Sequence, residues 1–159
     1  MLNEFLQRCQ ATGMQTCTIP LTELSNTLDI ENHTQQTIHL PRLDIPSTAT
    51  PVDVNGINRC VIEADAGIAE CGSFVIDQQD SQLRLASCMA ETLVVVLEAS
   101  RLVASLEDIA GYMEEKLRNN QAGFIAFISG ASRTADIERE LTIGVHGPRR
   151  MHAIIITDR

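Results

Sequence analysis

From Thr92 to Leu97 the chain reads Thr-Leu-Val-Val-Val-Leu, a continuous apolar and largely β-branched run with no polar position for solvent to take. A strand of that kind is stable only where both of its faces are covered, which is the situation of a parallel sheet packed with helices on its two sides. The run is far too short to cross a bilayer. An α/β architecture follows from this one stretch.

The remaining pattern is read against that constraint. From Asn58 onward, short apolar runs alternate with helical stretches, as βαβ units require. Strands are expected at 15–19, 73–77, 92–97, 124–129 and 151–157, and helices at 4–11, 21–28, 105–117 and 134–141. Gly13 suits the end of the first helix, and Ser105, followed by Glu107 and Asp108, suits the start of the third. Residues 59–67 read as helical, and 37–56, with Pro41, Pro46 and Pro51, as a loop holding one edge strand. The expected fold is a single domain, 1–159, with a mainly parallel sheet sandwiched by helices.

Composition removes several functions. With 12 Lys+Arg against 21 Asp+Glu the formal charge is −9, so the chain has no net attraction for nucleic acid or anionic lipid. Phe, Tyr and Trp make up only 3% of the residues and Trp is absent, so single-strand stacking platforms are missing as well. The cysteines Cys9, Cys17, Cys60, Cys71 and Cys88 are scattered and contain no CxxC pair, which supports neither a disulfide framework nor a metal or iron–sulfur site in this chain. The first residues lack a positive region followed by an apolar core, so cytoplasm is the expected compartment.

Charge is unevenly spread. Residues 1–132 hold 7 basic and 17 acidic side chains, whereas 133–159 hold 5 and 4. Within this less acidic segment an apolar strand runs into Gly130, and Ser132, Arg133 and Thr134 follow before the expected helix with Asp136 and Glu138. A strand end meeting a helix start offers unpaired N–H groups to an anion, and Arg133 adds a guanidinium suited to a carboxylate or phosphate. Taken alone, Ser132 or Thr134 could equally be a helix cap, with Arg133 paired to Asp136 or Glu138. A second loop holds Gly144, His146, Gly147 and Pro148, with His146 available for proton transfer. A third stretch, with Asp65, Glu70, Cys71, Gly72 and Ser73, supplies small residues and two acids before a strand; its plain reading is a polar turn, its functional one an acceptor or base at Glu70 or Asp65.

These stretches together resemble the LUD-domain (lactate-utilisation, LutC-like) family, whose signature runs roughly GxSRTADIE, then GVHGP, with an upstream DxxIAxTGT. The matching residues are Gly130, Ser132, Arg133, Thr134, Ala135, Asp136, Ile137 and Glu138, then 144–148, and upstream Asp65, Ile68, Ala69, Glu70 and Gly72. Ala131 stands where a proline is usual, Cys71 and Ser73 replace two threonines, and the chain is shorter at its start than many members. The resemblance implies a NagB/RpiA/CoA-transferase-like fold, also seen in formyltetrahydrofolate cyclo-ligases. It further implies a place in a system oxidising L-lactate to pyruvate with iron–sulfur partner proteins, the cluster being carried by a partner subunit. Ligand contacts are then expected at Gly130, Ser132, Arg133, Thr134, Asp136, Gly144, Gly147, Asp65, Gly72 and Ser73, with His146 and Glu70 in catalytic roles. Two rival expectations differ in class: a stand-alone ligase or transferase that holds a nucleotide or CoA phosphate, with Glu70 as base or nucleophile, and a non-catalytic assembly module.

Overall fold

The apolar run 92–97 lies at the centre of a six-stranded sheet in the computed structural model, which describes all residues except 54, 119–122, 136–140 and 144–146. In chain order the elements are α1 (Leu2–Ala11), β1 (Gln15–Ile19), α2 (Leu24–Leu28), β2 (Gln36–Leu40), β3 (Ile45–Thr48), β4 (Ile57–Glu63), β5 (Ala66–Ile68) and β6 (Ser73–Asp77). They continue with α3 (Ser81–Met89), β7 (Ala90–Glu98), β8 (Leu102–Val103), α4 (Glu107–Arg118), β9 (Ile125–Ile128), β10 (Arg133–Ala135), β11 (Leu141–Ile143) and β12 (Arg150–Ile156). The large sheet has the order β1-β12-β7-β4-β2-β3, and all its pairings are parallel except β2 with β3.

Each central strand contributes to two cores at once. Leu93, Val95 and Leu97 of β7 join Cys60 and Ile62 of β4 and Met151, Ala153 and Ile155 of β12 on one face, closed by Phe5 and Cys9 of α1 and Leu83 and Ala86 of α3. Val94 and Val96 join Val61, Ile154 and Ile156 on the opposite face, closed by Leu24 and Leu28 of α2. Alternate side chains of an extended strand point to opposite faces, so a run apolar at every position is what this double burial demands.

Against the first face lies a second sheet, β8-β5-β6-β9, in which β6 pairs antiparallel with both β5 and β9. Its inner side presents Phe74 and Ile76 to the main core, and its outer side buries Ile68 and Val75 under Ile109 of α4. Ser105 N–H and Oγ donate to the Asp108 carboxylate ahead of α4, a local lock that fits the expected start.

Three expectations are corrected. Residues 59–67 are not helical: β4 and β5 occupy them, because Cys60, Val61 and Ile62 alternate between the two cores as the strand beside β7 must. Within 37–56, β2 is an inner parallel strand with Ile38 and Leu40 buried, and only β3, which carries Pro46, is an edge. The expected helix 134–141 is replaced at its described ends by strands, Ala135 pairing with Leu141 and Thr134 with Thr142. Thr142 and Ile143 are β-branched and favour the extended backbone that this pairing uses.

The double-sided core makes a stability prediction. Leu97, fully buried, should cost about 2–5 kcal/mol when cut to alanine, whereas Leu85, 42% exposed on α3, should change stability by less than about 0.5 kcal/mol. Urea denaturation of both variants checks the contrast.

Candidate anion-binding site

The two glycine loops meet. Ser132 N–H donates to Pro148 O at 3.0 Å, and a methyl group on Gly147 would come within 2.9 Å of Ser132 Cβ, so only a residue without a side chain allows this approach. Gly130 packs on Thr12 after α1, and Arg133 Nη2 donates to Thr12 O at 2.6 Å. Thr12 lies ahead of β1 and Pro148 ahead of β12, which places the whole cluster at the amino edge of the large sheet. That corrects the expected setting: the 130–134 turn leaves β9 of the small sheet and enters β10, so no helix N-terminus stands at Thr134.

Among the described residues, what the cluster offers an anion is therefore positive side chains rather than a helix dipole. Arg133 is exposed and its bond to a neutral carbonyl does not cancel its charge. Arg149, next to Pro148, is exposed too, with its backbone N–H anchored on Glu91 O at 3.0 Å. Arg150 is paired to Glu91 at 2.8 Å. Two exposed arginines thus stand next in sequence to the two residues of the Ser132–Pro148 bond, in an otherwise acidic molecule. Asp136, Gly144 and His146 lie outside the described residues.

The upstream segment divides. Gly72, at φ +64°, sits against α1, where a methyl would come within 2.6 Å of Arg8 Cβ, and Cys9 Sγ donates to Gly72 O. Ser73 Oγ lies 2.6 Å from Ser129 Oγ, which attaches this segment to the residue before Gly130. Gly72 and Ser73 therefore belong with the converging loops. Glu70 turns elsewhere, its Oε1 accepting Leu106 N–H at 2.7 Å ahead of α4. Asp65 also lies apart, in a cleft of about 130 Å³ at the carboxyl ends of β2 and β4.

That cleft holds an ionic network. Arg42 donates its backbone N–H to both Glu63 oxygens, Nη1 to Asp65 Oδ1 at 2.9 Å and Nη2 to Ala64 O at 2.6 Å. Asp65 Oδ2 accepts Asp77 N–H, and Asp77 Oδ2 in turn accepts Tyr112 OH at 2.6 Å and pairs with Lys116. Burial raises the Glu63 carboxyl above its ordinary range, against the opposing pull of Arg42. Burial also pushes Asp77 upward, but hydrogen bonds from Lys116, Tyr112 and Gln79 outweigh it and hold the carboxyl below its usual value. Tyr112 is driven well above a normal phenol by burial and by Asp77. The cleft is lined by Arg42 and Arg84 against Glu63, Asp65 and Asp77, a net formal charge of −1 that Lys116 offsets through its pairing with Asp77, so nothing in it draws an anion. Sequence reading missed this network because Arg42 lay in a presumed loop and Glu63 in a presumed helix. It missed Ser129 and Arg149 for another reason, since nothing local shows what they stand beside.

Metal binding has no foothold among the described residues, where no three His, Cys, Asp or Glu gather. Cys9 and Cys60 are buried thiols pushed up to about 12 by that burial, hence protonated and poor ligands. Also among the described residues, no helix is long and apolar enough to cross a membrane.

Fold and site together define an α/β domain whose signature loops close on one another at a basic sheet edge. The chain belongs to the LUD-domain family: the model of that family, described as "LUD domain", matches residues 54–156, more than half of its length. Among curated relatives, "Lactate utilization protein C" of Geobacillus sp. (strain WCH70) is 33% identical over 98 residues, covering 60% of this chain and 41% of that protein. The protein of the same name from Anoxybacillus flavithermus is 36% identical over 96 residues, covering 60% and 42%. The matched stretch is thus well under half the length of these relatives. A crystal structure of a DUF162 family protein from Deinococcus radiodurans shares the fold, with a TM-score of 0.72 at 16% identity over 98% of this chain and 96% of that one.

The Asp77 cluster yields a pH prediction. A carboxyl held below its ordinary value of 3.8 adds stability that is complete above that pH and is lost as pH falls through the lowered value. Asp77→Asn should cost about 1 kcal/mol at pH 7, and the difference from the parent should shrink below pH 3.8. Urea titrations of both proteins at pH 7 and pH 3 check it; a difference that grows in acid would contradict it.

Proposed function

We propose that this chain serves lactate utilisation, as a component of a system that oxidises L-lactate to pyruvate with iron–sulfur partner proteins. In this reading it contributes a small-anion site where the 130–133 turn meets Gly147, Pro148 and Arg149. One observation carries the proposal: relatives named "Lactate utilization protein C" match at 33% and 36% identity, and the family match encloses both converging loops.

The chemistry is consistent with a monocarboxylate. Arg133 and Arg149 supply long-range attraction and donors of the forked kind that carboxylates accept. Gly147 lets Ser132 lie close against its loop, and the Ser132 hydroxyl adds a donor for the ligand beside Arg133. His146, adjacent to Gly147 in sequence, is assigned the hydroxyl proton of lactate; the α-hydrogen would leave with its electron pair, as a hydride, to an acceptor carried by a partner protein. Iron–sulfur clusters on the partner proteins would take those electrons onward, since among the described residues no three His, Cys, Asp or Glu gather to hold one here. Asp136, Thr134 and Gly144 complete the loops from positions contiguous with these.

Calorimetric titration with L-lactate, pyruvate, ATP and CoA tests this. Lactate and pyruvate should bind, and Arg133→Ala should weaken them about tenfold, the order expected for a lost charge-assisted hydrogen bond. Binding of ATP or CoA with none of lactate or pyruvate would overturn the proposal in favour of a ligase or transferase.

A further inference from the structure

A chain of small polar side chains leads from the segment before β6 to the edge of the anion site. We propose that Ser129 is a ligand-binding residue of that site, giving its hydroxyl proton to the anion's oxygen, and that Ser73 is a positioning residue that turns the proton outward. The inference rests on the anion-site reading above and names a contact within it.

The geometry is that of a relay. Cys71 Sγ lies 3.0 Å from Ser73 Oγ, and Ser73 Oγ lies 2.6 Å from Ser129 Oγ. Ser73 is only 5% exposed, so its proton and its lone pairs must find partners inside the protein. A hydroxyl has one proton to give, and the chain can run in either of two directions. Sulfur is weak both as donor and as acceptor, but the contacts of Cys71 are those of a donor, its Sγ reaching Ser73 Oγ at 3.0 Å and Ile68 O at 3.9 Å, so run from Cys71 the chain has oxygen accepting at both steps. That direction is favoured. Ser73 then commits its proton to Ser129, and the Ser129 proton is left for something beyond the relay. Ser129 is exposed and immediately precedes Gly130, which packs on Thr12, the residue whose carbonyl holds Arg133, so its remaining proton lies at the edge of the cluster. A negatively charged oxygen is the acceptor that such a terminal donor suits best, and donors polarised in series strengthen the last bond.

The scaffold keeps the members in line. The antiparallel register of β6 with β9 sets Phe74 opposite Ile128, which leaves Ser73 and Ser129 side by side just beyond the ladder. Gly72, between Cys71 and Ser73, is held against α1 by close contact and by the Cys9 thiol. Nothing in the sequence near Ser129 points to this, because its partners lie 56 residues upstream.

Calorimetry with L-lactate and pyruvate, on the full chain, tests the assignment, with thermal unfolding run on every variant. Ser129→Ala should weaken binding about tenfold and Ser129→Thr, which keeps the donor, should not. Ser73→Ala should weaken it about threefold, with Ser73→Thr restoring the parent value, a rescue that loss of packing alone would not give. If Arg133→Ala loses affinity while Ser129→Ala keeps it, the relay is wrong and the anion site stands. If the parent protein binds neither probe, both fall.

Discussion

Burial of the central strands on both faces governs this molecule. β7 can be apolar at every inner position only because α1, α3 and the small sheet cover one side while α2 covers the other. Each of these layers is needed for the strand's hydrophobic surface to be removed from water, and the layers in turn fix where the connecting loops emerge. Parallel pairing sends the carboxyl ends of every strand of the large sheet except β3 to one edge and the loops ahead of β1 and β12 to the other. The glycine loops, Thr12 and Arg149 share a neighbourhood for that reason, although they come from the two ends of the chain.

The two edges differ in electrostatic character. At the carboxyl edge of β2 and β4, Arg42 and Lys116 are consumed by Glu63, Asp65 and Asp77, and the result is a brace between the two sheets. At the amino edge, Arg133 and Arg149, next in sequence to the Ser132–Pro148 contact, are exposed to solvent. A chain of formal charge −9 can attract a small anion only through such a local reversal, and the uneven distribution of charge along the sequence is its one-dimensional trace.

Much of the frame was legible beforehand because its signals are local. The run at 92–97, the strand at 15–19 and the one at 73–77 each carry their periodicity within a few residues, and the structure has strands there. Residues 59–67 deceived because Glu63, Ala64 and Ala66 imitate a helical composition, while the fact that settles the matter, a place between β2 and β7, is tertiary. The same holds for Thr134 and Ala135, whose partners Thr142 and Leu141 return from further along the chain. The meeting of Ser132 with Pro148 was legible as an expectation from the motif. The setting was not: an amino edge, with a strand rather than a helix start at Thr134, depends on which sheet β9 joins, and no local pattern encodes that.

The account's central claim is that a small carboxylate binds where the glycine loops converge. A titration of the 15N-labelled protein with pyruvate, followed by amide chemical shifts, tests it most directly. The account predicts saturable shifts at Ser129, Gly130, Ser132, Gly147 and Arg149, with Arg42, Asp65 and Arg84 unmoved. Shifts confined to the cleft at the ends of β2 and β4, or none at all, would contradict it.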